Sequence, residues 1–175
     1  AGPDGRLDGE NWLSGPVVTL RTLRLLAKAV DARGHPPVAS LQERDGQWVA
    51  EVVPADVRER LLFTGMQAEV RVLPGHEPTQ GAIYRGPAAE HDGGGDLGLG
   101  AGNVTSIAPR DLFHELFVEN RVVLLKMHPV NEYVGPLFET AFSSLIEAGY
   151  LGIVYGGAEV GEYVCRHPGI DAIHL

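Results

Sequence analysis

A single cysteine, Cys165, among 175 residues excludes an internal disulfide framework and fits a reducing compartment. Basic residues are also few. Fourteen Lys and Arg face 23 Asp and Glu, a formal charge of −9, and the isoelectric point is near 5.2. No basic cluster stands out, which argues against a nucleic-acid partner and against binding at an anionic membrane surface. Long apolar runs are missing: "RVVLLKM" (121–127) is far too short to span a bilayer. The opening "AGPDGRLDGE" has neither a basic start nor an apolar stretch, so no secretory signal is read and the expected location is cytoplasmic. The seven histidines (35, 76, 91, 114, 128, 167, 174) show no metal-ligand spacing.

What is present reads as a globular chain, 44% hydrophobic and 21% charged, long enough for one packed domain with a small appendage. Residues 1–15 are rich in Gly, Pro and Asp and read as loop. From Val17 to Val30, apolar Val17, Leu20, Leu23, Leu26 and Val30 recur at helical spacing with Arg21, Arg24 and Lys28 between them. "QWVAEVV" (47–53) has strand composition, and "ADVRERLLFTG" suggests a short helix stopped by Gly65. "QAEVRVLPG" alternates like a half-buried strand, "GAIYRG" is another strand candidate, and residues 86–96 read as a boundary loop. Trp12 and Trp48 read as packing anchors, and His114 with Glu115 as helix surface.

Beyond that loop the texture changes. "DLGLG" is a short strand entering a glycine turn, and residues 109–120 a helix with Pro109 in its first turn. "RVVLLK" (121–126) is a continuous apolar run typical of a buried parallel strand. Residues 131–149 are helical towards their end and stop at Gly149. "YLGIVYGG" is a third strand and turn, "AEVGEYVCRHPG" a helix, and "IDAIHL" a fourth strand. This alternation predicts an α/β fold: a Rossmann-like parallel sheet with helices on both faces, preceded by a smaller N-terminal α+β portion. The expected division is 1–90 and 91–175.

In such a sheet ligands bind beyond the carboxyl ends of the strands, where the glycine turns lie. "DLGLGAGN" (96–103) admits three readings. Gly98 and Gly100 fit the first two positions of G-x-G-x-x-G, but the third falls on Asn103. Asp96, Gly98, Gly100 and Gly102 fit the first motif of S-adenosylmethionine methyltransferases. Both designs want a carboxylate at the end of the second strand to accept from ribose. Lys126, which stands there, has no acceptor.

The third reading makes Lys126 an asset. "GN" (102–103), "VVLLK" (122–126), "EAGYLGIVYGG" (147–157) and "GEYVCRHPGIDAIHL" (161–175), as an ordered set, resemble the aldehyde dehydrogenase superfamily, in a divergent acyl-reductase-like branch. The resemblance implies a nicotinamide dinucleotide, NAD or NADP, and oxidation of an aldehyde, or reduction of an acyl group, through a thiohemiacetal. It implies that Asn103 is the amide donor to the oxyanion, and that Lys126 donates to the adenosine ribose. It also implies that Gly157 and Gly161 leave room for the adenine half. Pro129 stands where the family carries a second ribose-binding residue, a glutamate. A member of that family would continue past Leu175 to its general-base glutamate and nucleophilic cysteine. The chain is therefore expected to be a fragment, inactive alone, of a homo-oligomeric enzyme acting on a small aldehyde or acyl substrate. The methyltransferase, and a non-catalytic nucleotide-binding module, remain the alternatives. The plain readings stand beside these: asparagine often simply shapes a turn, and a strand-end lysine is usually a solvated charge.

Overall fold

A computed structural model describes residues 7–81 and 94–174. The chain forms two compact units, residues 28–84 and residues 1–27 with 85–175.

The larger unit contains β4 (Gly95–Leu99), α4 (Ile107–Phe117), β5 (Val122–Lys126), α5 (Gly135–Ala141), α6 (Ser143–Glu147), β6 (Leu151–Val154), α7 (Ala158–Cys165) and β7 (Ala172–His174). A 3-10 turn, Pro129–Val134, leads from β5 into α5. The strands are parallel in the order β6-β5-β4-β7, which is the α/β parallel sheet that the alternation of elements predicts. Side chains alternate across a strand, so Val123, Leu125 and Met127 share one face. There they pack with Ala108, Leu112 and Phe113 of α4 and with Phe138 and Phe142. The Phe113 and Phe142 rings meet edge to face at 5.2 Å. Lys126 takes the opposite face, the one covered by α7, where its Cε lies 4.0 Å from the Cβ position of Gly161. Residues 131–149 are not one helix but the end of the 3-10 turn followed by α5 and α6, separated at Phe142 (φ −111°, ψ 20°). Gly149 ends α6 at φ +79°, where Tyr150 N–H closes the last turn onto Leu145 O at 2.9 Å.

The stretch expected to be loop up to residue 15 is helical where it is described: α1 (Asp8–Trp12), a π-helical turn (Leu13–Val17), then α2 (Val18–Asp31). Pro16 lacks the N–H that an α-helix would use, and the local widening absorbs it. Ser14 Oγ and Thr19 Oγ1 donate back to Glu10 O (2.7 Å) and Gly15 O (3.0 Å). Of the periodic face, Leu23 and Leu26 pack on the core, whereas Leu20 and Val30 are exposed. Trp12, expected as a packing anchor, is 63% exposed.

The smaller unit is an antiparallel sheet, β1 (Ser40–Arg44), β2 (Gln47–Val53) and β3 (Ala68–Arg71), with α3 (Val57–Leu62) between β2 and β3. Asp45 and Gly46, both at positive φ (53° and 74°), make the two-residue turn between β1 and β2. Asp56 caps α3 by accepting from Glu59 N–H (3.0 Å), and the Glu59 carboxylate reaches back past the cap to accept from Ala55 N–H (2.8 Å). The four residues of β3, expected to be half-buried, are all exposed. Most of "GAIYRG" and of the boundary loop, residues 82–93, lies outside the described residues.

Candidate functional site

Strands β4, β5 and β6 end in register at Leu99, Lys126 and Val154. Strand order reverses between β4 and β7, the kind of edge at which open α/β sheets hold ligands. Lys126 belongs to this carboxyl edge. It is only 7% exposed, yet among the described residues no hydrogen bond or ion pair reaches its amine. The residue is buried, but its amine nitrogen keeps some contact with solvent. Its stem lies over Gly161 on α7.

One turn before Gly161, Gly157 caps the helix in an extended conformation (φ −79°, ψ −156°) with no side-chain hydrogen bond to the cap. A Cβ on Gly157 would meet nothing within 4 Å. The helix start is therefore open, with free N–H groups and the positive end of the helix dipole beside it. Lys126, Gly157 and Gly161 are brought together into one ledge.

Asn103 belongs to a different loop. It is exposed on the loop from β4 to α4, and its side chain makes no hydrogen bond among the described residues. The loop around it is packed on the segment after β5. Gly100 N–H donates to Lys126 O at 2.9 Å, and buried Asn131 donates through Nδ2 to Ala101 O at 2.8 Å. The His128 ring fills the Cβ position of Gly102, with Cε1 at 2.5 Å. The glycines of this turn thus serve close approach of the protein to itself. Gly98 is a strand residue, its Cβ position 3.6 Å from Leu125 Cδ1. Asn131 was invisible in the sequence because its partner is a backbone carbonyl thirty residues away in the chain.

Asp96, the acid of the methyltransferase-like motif, is 2% exposed at the other end of β4. Arg121 Nη1 contacts its Oδ1 at 3.1 Å. Glu115, expected at the surface, is instead 4% exposed, with His174 Nδ1 2.9 Å from its Oε1. Burial first, then a hydrogen bond to Asp96 and the charges of Asp96 and Glu119, push its carboxyl up to about 7 against the opposing pull of Arg121. Near this amino end lies an apolar cleft of about 460 Å³ lined by Leu116, Phe117, Val122, Leu145 and Tyr150, with Arg121 at its side. Cys165, expected to pack in the core, is half-buried with a free thiol.

Among the described residues no helix is long and apolar enough to cross a membrane. No protein-family model matches the chain, and no curated protein matches it.

Proposed function

We propose that the larger unit is the cofactor-binding part of an aldehyde-dehydrogenase-like oxidoreductase that uses NAD or NADP on an aldehyde or acyl substrate. One observation carries this reading: Lys126, a largely buried strand-end residue whose amine makes no hydrogen bond or ion pair among the described residues, on the face covered by a helix whose start is open at Gly157. An amine so placed can donate to a bound group, and the hydroxyls of a ribose would accept from it. Helix N–H groups at Gly157 suit a phosphate, and the missing side chain of Gly161 leaves room above the amine. A bound dinucleotide would supply hydride acceptance or donation. The chain's own contribution is to orient its adenosine half, through Lys126, Gly157 and Gly161. Asn103, exposed and free to donate through its amide, suits the oxyanion formed from a carbonyl.

The methyltransferase reading asks for a ribose acceptor at the end of β5, and Lys126 has none to offer. Calorimetric titration with NAD, NADP and S-adenosylmethionine separates the two. Dissociation constants for NAD or NADP above about 1 μM are expected, weakened further in Lys126→Met and in Gly157→Ala, whose new methyl meets no protein atom within 4 Å. Tight S-adenosylmethionine binding with no response to either dinucleotide would reverse the assignment.

A further inference from the structure

The turn that joins β6 to α7, Tyr155-Gly156-Gly157, is bonded from other elements of the fold. Gly156 has φ +129°, a conformation that side-chain-bearing residues rarely adopt, and a Cβ there would lie 2.6 Å from Val160 Cγ2. Its N–H is satisfied from another element: Glu132 Oε1, on the 3-10 turn after β5, accepts it at 3.0 Å. The preceding residue is held by the same stretch of chain. Tyr155 O–H donates to Glu139 Oε1 at 2.5 Å, and its ring occupies the space that a Cβ on buried Gly135 would need. Burial, the Glu139 hydrogen bond and the charges of Glu139 and Glu132 push the phenol up to about 12, so it remains a donor across the physiological range. The residues directly after Lys126 therefore return to grip the residues directly before α7.

We infer that Glu132, together with the Tyr155–Glu139 pair, positions the glycine turn so that the start of α7 and the Lys126 amine meet one dinucleotide at a set spacing. This inference rests on the dinucleotide reading above. Neither acid touches the ligand in this role. Each acts by fixing backbone that would otherwise sample many conformations and lose entropy on binding.

The test pairs amide hydrogen exchange by NMR with titration of NAD, in Glu132→Ala, Glu132→Gln and Tyr155→Phe. In Glu132→Ala, exchange at the Gly156 amide should accelerate and the NAD dissociation constant should rise about tenfold, the scale of one hydrogen bond to a charged acceptor. Glu132→Gln retains a side-chain carbonyl in reach of Gly156 N–H and should recover most of both effects. Tyr155→Phe should fall between them. Unchanged exchange at Gly156 in Glu132→Ala would overturn the clamp, and faster exchange with unchanged NAD affinity would overturn its positioning role. If Glu132→Ala does not fold, Tyr155→Phe carries the same two readouts and the same two failures. An unsubstituted protein that binds neither NAD nor NADP would sink the dinucleotide reading and the positioning role with it, whatever the exchange data show.

Discussion

Asp96 and Lys126 are both buried ionisable residues of the same parallel sheet, and they are treated oppositely. Asp96, 2% exposed, sits among Arg121 and Glu115, with His174 behind them. Lys126, 7% exposed, makes no hydrogen bond or ion pair through its amine among the described residues. A charge kept out of water inside a stable fold is normally paired and hydrogen-bonded. The first group obeys that rule with the chain's own atoms. The second keeps its amine within reach of solvent. The contrast separates a charge balanced inside the sheet from one left at its carboxyl edge.

The largest way to break the contrast is Asp96→Ala. Removing one partner of a buried pair leaves the others uncompensated, which costs about 3–5 kcal/mol. The Arg121 side chain is 34% exposed, which favours the lower end, about 3 kcal/mol. Urea denaturation measures it, and a loss under about 1 kcal/mol would mean the cluster is not a unit.

Next comes pH. Glu115 is raised from 4.5 to about 7, so between those values the folded chain holds a proton that the unfolded chain has released. Its contribution to stability is complete below about pH 4.5 and is lost as pH rises through about 7. The ceiling is on the order of 3 kcal/mol, and an imidazolium at His174, 2.9 Å away, would lower it by favouring the carboxylate. Comparing urea midpoints at pH 5 and pH 8 should show the decline in the unsubstituted protein and a flatter profile in Glu115→Gln. An equal slope in both would reject this assignment.

The smallest effect sharpens the other side. Lys126→Met keeps the stem and removes an amine that has no partner, so stability should stay level or rise by up to about 1 kcal/mol, even as dinucleotide binding weakens. A loss above about 2 kcal/mol would reveal that the amine is bonded within the protein after all.

Legibility from sequence followed how local each signal was. The run Val122–Lys126 announced a buried strand because burial on both faces demands apolar residues throughout. Gly149 announced a helix end because its left-handed backbone is a local requirement. Strand β1 was missed, although the Asp45-Gly46 dipeptide is a strong hairpin signal, because its residues are polar and exposed. The helix at Asp8–Trp12 was missed because Pro3 and the glycines at 2, 5, 9 and 15 outweighed the pattern. In the candidate site Lys126 and Gly157 could be picked out as types at strand and turn ends. Glu132 and Asn131 could not, since each bonds to backbone 24 and 30 residues away.

By itself the sequence determined the alternation of strands and helices, and with it the parallel sheet, because apolar periodicity and glycine stops act over a few residues. Only the tertiary structure decided which charges are matched. Asp96 finds Arg121 across 25 residues of chain, and the Lys126 amine finds no partner among the described residues. Charge pairing depends on distance through space and on exclusion of water, and neither is written in residue order.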